Sequence, residues 1–172
     1  MYNLLFDSDA LIKLTHSGAL IKVCETFNCI ITNEIKRETV EEGKIRLYPD
    51  AEIIDELIKK SLIKIKNPKN IIKPIDYLGK GELSILSLSK EDNYIIISDD
   101  QTFIKELEKE NLDFMVPMDI ITTLIKLGKI NKKETKEYLE KIKVFIREQN
   151  YKRLKKEIGG QNDNSIPNKT ER

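Results

Sequence analysis

Short apolar runs alternate with amphipathic segments along most of this chain. Runs of β-branched and aliphatic residues predict buried strands, whereas apolar residues spaced three or four apart predict helices. The predicted strands are residues 3–6, 29–32, 62–65, 94–98 and 114–116. The predicted helices are residues 11–27, broken near Gly18, and 33–42, 49–60, 82–91, 101–111 and 117–127. This alternation predicts an α/β fold with a parallel sheet of four or five strands.

Two segments deviate from this regular pattern. A lysine interrupts the apolar residues of the 62–65 strand, which is typical of the edge of a sheet. Residues 66–77 contain Pro68 and Pro74 and predict an irregular loop, after which Gly79 and Gly81 precede the next helix. The sheet is therefore expected to end at the third strand.

The segment beyond Gly128 is amphipathic and basic. Tyr138, Ile142 and Phe145 fall on one helical face, with lysines on the others. We therefore expect a main domain over residues 1–128 and a basic helical extension over 129–158 that packs on it. Residues 159–172 are polar with little apolar surface, which predicts a disordered tail.

Composition adds a charge asymmetry to this picture. The 172 residues, 40% of them hydrophobic, are enough for one buried core, and the net charge is only +1. Residues 129–157 contain eleven Lys and Arg against five Asp and Glu, a net charge of +6, which leaves residues 1–128 at −5. An acidic body thus carries a basic extension.

Membrane and disulfide chemistry are not indicated. No apolar run approaches the roughly 20 residues of a membrane span, and the first strand is interrupted by Asp7, so we expect neither a signal peptide nor a membrane anchor. Cys24 and Cys29 are too close to staple the fold and have no further Cys or His pair for a zinc site, which predicts free thiols. These features predict a cytoplasmic protein.

Four carboxylates follow or begin predicted elements at corresponding places. They are Asp7, Glu38, Glu82 and Asp99. Acids at the ends of parallel strands can meet in one crevice, and a bound cation lets them remain ionised together. The sequence therefore predicts a divalent-metal site.

Each acid also has an ordinary structural interpretation. Asp7 could cap the following helix, although Asp9 fits that role better. Glu38 shares a helical face with Ile35 and Ile31 but could equally belong to a solvated face. Glu82 could simply favour the positive end of its helix. For the adjacent pair we expect Asp99 to be the ligand and Asp100 the helix cap.

Together these motifs resemble the PIN-domain nucleases, most closely the archaeal and bacterial PIN proteins related to VapC-type toxins. The resemblance covers about residues 3–120 and rests on FDSDALIKL, ITNEIKRETV, LGKGELSIL and IISDD. It implies a three-layer α/β/α fold and a metal-binding, catalytic quartet of Asp7, Glu38, Glu82 and Asp99, with Asp100 as a further candidate. The extra acid Asp9 and the Gly-Lys-Gly-Glu helix start depart from the family pattern.

The resemblance also implies an activity and partners. A PIN domain of this kind is expected to be an endoribonuclease that uses Mg²⁺ or Mn²⁺, which suit oxygen-only ligands. RNA is the expected substrate, DNA is not excluded, and an antitoxin protein and a second copy of the chain are candidate partners. Phosphate contacts are expected from the densest basic patch of the extension, Lys152, Arg153, Lys155 and Lys156, unless these residues serve only solubility.

Two other functions compete with this hypothesis. Asp7-x-Asp9 with Asp99-Asp100 resembles a phosphatase of the haloacid dehalogenase type, but Leu11 breaks its motif, and Glu38 and Glu82 would have no role. The domain could also be a catalytically inactive module that binds RNA or a partner. Persistent binding without metal and without cleavage would favour the latter.

Overall fold

A computed structural model describes residues 2–145, 148, 151, 152, 155 and 156. Five short strands form one sheet. They are β1 (Asn3–Phe6), β2 (Asn28–Ile31), β3 (Ile63–Ile65), β4 (Ile95–Ile97) and β5 (Phe114–Met115). All four pairings are parallel and the strand order is β3-β2-β1-β4-β5. The strands that follow β1 in the chain are added first on one side of it (β2, β3) and then on the other (β4, β5), so the carboxyl ends of β1 and β4 flank a topological switch point.

Helices connect the strands and complete the predicted three-layer α/β/α fold. They are α1 (Ser8–Ser17), α2 (Leu20–Thr26), α3 (Asn33–Lys36), α4 (Glu42–Ile45), α5 (Pro49–Lys59), α6 (Lys80–Ser89), α7 (Gln101–Lys109), α8 (Pro117–Lys126) and α9 (Lys132–Ile142). A π-helical segment, Arg37–Glu41, joins α3 to α4, and a 3₁₀ turn, Lys143–Phe145, follows α9. Within the described residues, no helix is long and apolar enough to cross a membrane.

The core lies around the central strand. Leu4, Leu5 and Phe6 of β1 are all buried, as expected for a parallel strand covered by helices on both faces. The third strand is at the edge, as predicted, and Ile65 near its end is exposed. The helical pattern at 11–27 is broken at Gly18, as predicted, because this residue has a φ of 80° and ends α1 in a left-handed conformation.

Several predicted helices differ from the structure at their ends, and the first of them, expected from residue 11, begins at Ser8. The helix expected at 82–91 begins two residues earlier at Lys80, with Gly79 as its N-cap. The helix expected at 33–42 continues to Ile45 but contains the π-helical segment. An extra residue in one turn shifts every later side chain around the helix, which hydrophobic periodicity does not reveal.

The start of the basic extension packs at one end of α1. Helix α9 contacts α1, and Ile142 is fully buried. Tyr138 lies against the Cα of Gly18, and Phe145 stacks on His16 with ring centroids 4.6 Å apart. Gly18 and His16 lie at the carboxyl end of α1, opposite Ser8. The tail predicted to be disordered, residues 159–172, lies outside the described residues.

Candidate active site

A polar crevice lies at the carboxyl edge of the sheet, at the switch point between β1 and β4. Its volume is about 200 Å³, which gives room for a hydrated cation. Three elements following β1, β2 and β4 contribute to it, together with the first turn of α6. The lining residues are Asp7, Ser8, Asp9, Ile35, Glu38, Gly81, Glu82 and Asp100. Three of the four acids predicted from the sequence are therefore brought together, and Asp99 is not among them.

Asp7 ends β1 and is the N-cap of α1. Its Oδ1 accepts a hydrogen bond from the backbone N–H of Ala10 at 2.7 Å, so the prediction that Asp9 is the cap was wrong. Burial of its side chain raises the pKa of Asp7 to about 7, despite hydrogen bonds from Ser98 and Ala10 that lower it. Asp7 is therefore an acid that holds a proton near neutrality when no cation is close.

Glu38 reaches the crevice from the π-helical segment. One carboxylate oxygen accepts a short hydrogen bond from the hydroxyl of Ser8, which links this segment to the start of α1. Partial burial raises the pKa of Glu38, and the negative charge of Glu82 raises it further. The guanidinium of Arg37 lies 4.0 Å from the other oxygen and opposes that shift.

Helix α6 brings Glu82 to the opposite wall of the crevice, and glycines make this approach close. A Cβ on Gly81 would lie 3.0 Å from Oε2 of Glu38 and 3.0 Å from Cδ1 of Ile35. A Cβ on Gly79 would lie 2.6 Å from Oε2 of Glu82, so this carboxylate folds back over the first turn of its own helix. The Gly-Lys-Gly motif therefore makes room for two carboxylates.

The two adjacent aspartates after β4 point in different directions. Asp100 lines the crevice and also caps α7, with its Oδ1 accepting from the N–H of Phe103 at 2.7 Å. Asp99 does not line the crevice, although its charge lies close enough to raise the pKa of Asp7, and Lys13 of α1 donates to both of its oxygens at 2.7 and 2.8 Å. The capping role predicted for Asp100 is confirmed. Asp99 as a metal ligand remains a prediction, and the geometry favours Asp100.

The hydroxyl of Ser98 ties the ends of the two central strands together. It accepts a hydrogen bond from the N–H of Asp100 at 3.2 Å and bonds the carboxyl of Asp7. Below these groups, the N–H of Asp7 donates to the carbonyl of Ile97 at 3.1 Å. Asp7 and Asp100 are thus held at the same edge by buried groups.

The donor set fits a hard divalent cation in its chemistry. All of the acidic groups are carboxylates, and oxygen ligands are those that Mg²⁺ and Mn²⁺ prefer. Among the described residues, however, no three acidic, imidazole or thiol side chains converge closely enough to hold an ion. Glu38 and Glu82 would therefore have to rotate toward Asp7 and Asp100, and both have long side chains that allow this.

The predicted phosphate contacts of the extension are only partly described. Lys152, Lys155 and Lys156 are exposed, and Lys152 pairs with Glu148 at 2.7 Å. Arg153 lies outside the described residues. The extension contacts α1 at Gly18 and His16, the end away from the crevice.

Several residues of the site were missed by sequence reasoning. Ser8 and Asp9 were visible in the FDSDALIKL motif, but nothing in the local pattern indicated that both line the crevice. Gly81 carried a usable signal, because a glycine inside a helix start often marks a close approach. Lys13 carried none, since its partner Asp99 is 86 residues away.

Comparison with known proteins agrees with this fold. A family model, DUF3368, described as a PIN domain, matches residues 3–160, and the chain therefore belongs to the PIN-domain family. PIN domains are generally nucleases and typically use divalent metals. No curated protein matches the chain.

One solved structure supports the fold independently. It is a PilT N-terminus domain protein, SSO1118, from the hyperthermophilic archaeon Sulfolobus solfataricus P2. The two chains are 13% identical, the TM-score is 0.50, and the match covers 70% of this chain and 92% of that one. At this identity the similarity concerns the fold alone.

Proposed function

We propose that this PIN domain is a metal-dependent endoribonuclease whose metal ligands are Asp7, Glu38, Glu82 and Asp100. The observation that carries the proposal is that these acids, from four separate parts of the chain, line one crevice at the switch point of the sheet. Buried carboxylates without a counterion are costly, and the raised pKa values of Asp7 and Glu38 reflect that cost. A crevice of this kind is suited to a cation.

In such a metal site, different residues of the chain would have different roles. A bound Mg²⁺ or Mn²⁺ would supply an activated water and stabilise the charge on the phosphate. Asp7 is fixed by the N–H of Ala10, and Asp100 by the N–H of Phe103, so both keep a defined direction. Ser8 holds Glu38 through a hydrogen bond.

The haloacid dehalogenase alternative loses its basis, because the chain belongs to the PIN family.

The test is cleavage of a pool of structured and single-stranded RNAs in the presence of Mn²⁺. We expect the wild-type chain to cut, and Asp7→Asn and Asp100→Asn each to lose activity by about a hundred-fold or more, because each substitution removes a charged ligand. Asp113→Asn is the matched control, since this exposed aspartate precedes β5 outside the crevice. Equal activity in Asp7→Asn and Asp113→Asn would refute the assignment.

A second candidate function is a binding module that does not cleave. The observation that favours it is that no three acids among the described residues are close enough to hold an ion. RNA binding without metal and without cleavage, unchanged in Asp7→Asn, would establish this alternative.

We further propose a cytoplasmic location, and either an antitoxin protein or a second copy as partner. Co-purification and sedimentation of the native chain would test both partners.

A further inference from the structure

Within residues 2–128, the positive charges that form no ion pair with another described residue are concentrated in one stretch. Residues 2–128 contain seventeen Lys and Arg, and ten of them form ion pairs. The seven without an ion pair among the described residues are Arg46, Lys64, Lys69, Lys73, Lys80, Lys105 and Lys126. Four of these seven fall in residues 64–80, which we call the lysine segment. This stretch contains five lysines and only one acid, Asp76.

The lysine segment runs from the end of β3, beside the start of α3, to the start of α6, and α3 and α6 lead to opposite walls of the crevice. At its start, the N–H of Lys66 donates to the carbonyl of Ile31, and the side chain of Asn67 accepts from the N–H of Asn33 at 2.8 Å. Asn33 begins α3, which leads to Glu38. At its other end, Lys80 directly precedes Gly81 and Glu82, which line the crevice. The segment therefore ends beside Glu82 and begins beside the helix that leads to Glu38.

The segment is also held in place between its ends. The N–H of Lys69 donates to Glu91 at 2.7 Å, and the N–H of Ile72 donates to the hydroxyl of Ser87 at 3.0 Å. Both acceptors belong to α6 or the turn after it. The backbone is thereby fixed along α6, while the side chains of Lys69, Lys73 and Lys80 remain exposed. Such an arrangement presents lysine side chains to a ligand without the entropic cost of ordering the backbone on binding.

The basic extension is placed less favourably for the same task. Two of its contacts with α1 are at Gly18 and His16, whereas the crevice is at the Asp7 and Ser8 end. A ten-residue helix is about 15 Å long, so these two contacts lie roughly that distance from Ser8. Lys80 adjoins Gly81 and Glu82, so phosphates close to the scissile position would meet this end of the lysine segment first, whereas Lys69, bonded to Glu91, extends the surface along α6 away from the crevice.

We propose that the lysine segment is the surface on which this domain binds the sugar-phosphate backbone of a single-stranded nucleic acid that enters the crevice. The proposal rests on the proposed nuclease function and adds where the substrate lies. Four clustered carboxylates repel a polyanion, so affinity must come from cations beside the crevice. Neutralising phosphates also releases counterions, which makes such binding steeply dependent on salt.

The test compares three charge-matched variants of the full chain in EDTA, where no metal-dependent cleavage can occur. The first replaces Lys69, Lys73 and Lys80 by Gln. The second, a control, replaces Lys105, Lys126 and Lys129, which are exposed and form no ion pair among the described residues. The third replaces Lys152, Lys155 and Lys156 of the extension. Melting curves check that each variant is folded. If the first triple variant does not fold, the single variants Lys69→Gln and Lys80→Gln replace it.

Binding of a fluorescent single-stranded RNA is measured between about 50 and 300 mM salt, with the equivalent DNA and a polyglutamate peptide alongside. In the first variant we expect affinity to fall about ten-fold or more, and the slope of log K against log salt to flatten by about 2, since each single-strand phosphate contact contributes roughly 0.7. The control should leave both unchanged. RNA and DNA bound alike would indicate backbone recognition, and tighter RNA binding would add contacts to the 2′-hydroxyl; both support the segment as the surface.

Three results would overturn the proposal. An equal loss in the control would show a general charge effect, a loss confined to the third variant would place the surface on the extension, and polyglutamate binding as tightly as RNA would indicate an acidic protein partner. Failure of the nuclease hypothesis is recognised separately, because it would appear as no cleavage in Mn²⁺ while the binding losses in EDTA remain as expected.

Discussion

At the scale of single residues, Asp7 combines two roles that conflict energetically. It caps α1 and faces the crevice, yet it is almost fully buried, and burial raises its pKa to about 7. The unfolded chain releases this proton near pH 4, and the folded chain only near pH 7. The folded state therefore binds more protons between these values, and the free energy of unfolding falls as pH rises through that window.

Replacing Asp7 by Asn should remove this pH dependence. An amide oxygen can still accept the N–H of Ala10 but carries no charge, so we expect the metal-free variant to be more stable than wild type at pH 7.5, by up to about 4 kcal/mol. Near pH 4 the two should be similar. Urea unfolding at both pH values measures the difference. Asp113→Asn should follow wild type, and parallel pH profiles for wild type and Asp7→Asn would contradict the prediction.

Lys13 and Asp99 offer a second prediction at this scale. Their two hydrogen bonds hold the turn after β4, and we expect them to keep Asp100 directed into the crevice. Lys13→Met should weaken Mn²⁺ binding several-fold, Lys13→Arg should largely restore it, and Asp99→Asn should resemble Lys13→Met. Mn²⁺ binding followed by electron paramagnetic resonance measures these effects. If Asp99→Asn abolished binding while Lys13→Met had no effect, Asp99 would be the ligand.

The acidic residues of the site could be identified from the sequence, but the side chains that each carboxylate contacts could not. Asp7, Glu38 and Glu82 were predicted because they stand at element boundaries with apolar stripes beside them. The choice between Asp99 and Asp100 depends on which neighbour each carboxylate meets. Lys13 is brought to Asp99 only because β1, which precedes α1, pairs with β4, and local patterns do not encode this pairing.

At the scale of elements, the contact between α6 and the segment carrying Glu38 shapes the crevice. Gly81 is buried, and its Cα lies so close to Glu38 and Ile35 that a methyl group would approach both at about 3.0 Å. The hydroxyls of Thr32 and Ser84 add a 2.6 Å hydrogen bond between the same two regions. The crevice can be this narrow at Gly81 because glycine carries no Cβ.

Gly81→Ala should separate effects on stability from effects on the site. Alanine favours a helix over glycine by about 1 kcal/mol, which offsets the crowding, so we expect the free energy of unfolding to change little. The displaced Glu38 carboxylate should weaken Mn²⁺ binding about ten-fold. Urea unfolding and metal titration on the same sample measure both quantities. Unchanged metal affinity would show that Glu38 is not a ligand or that it moves freely.

Element positions were largely predictable, whereas the π-helical segment was not. Strands such as β1 and β4 are runs of apolar residues, and α8 begins at a favourable proline, so their patterns are local. A π turn depends on the packing of the elements around it. Glu38 lies in this segment, so its direction could not be derived from a 3.6-residue period alone.

At the scale of the whole molecule, strand order creates the site. The sequence predicted a parallel sheet and its edge strand, but not the order β3-β2-β1-β4-β5. That order places β1 beside β4, although these strands are far apart in the chain. It thereby brings Asp7 and Asp100 to one switch point. Long-range pairing of this kind depends on the packing of helices on both faces.

The extension is the remaining part of the molecule whose role can be tested through packing. The division into residues 1–128 and 129–158 is a prediction, yet Ile142 is fully buried and α9 contacts α1. If the described part of the extension belongs to the same cooperative core, Ile142→Ala should destabilise the whole chain by about 2–4 kcal/mol, as for other large-to-small core substitutions.

Val144→Ala is the matched control, because Val144 is 78% exposed and lies two residues further along the same segment. We expect it to change the free energy of unfolding by less than about 0.5 kcal/mol. Urea unfolding followed by circular dichroism should show one transition in both variants, shifted only for Ile142→Ala. A second, earlier transition, or equal midpoints for the two variants, would instead mean that the extension unfolds independently. In that case the buried surface of α1 near Gly18 would be a dispensable docking site rather than part of the core.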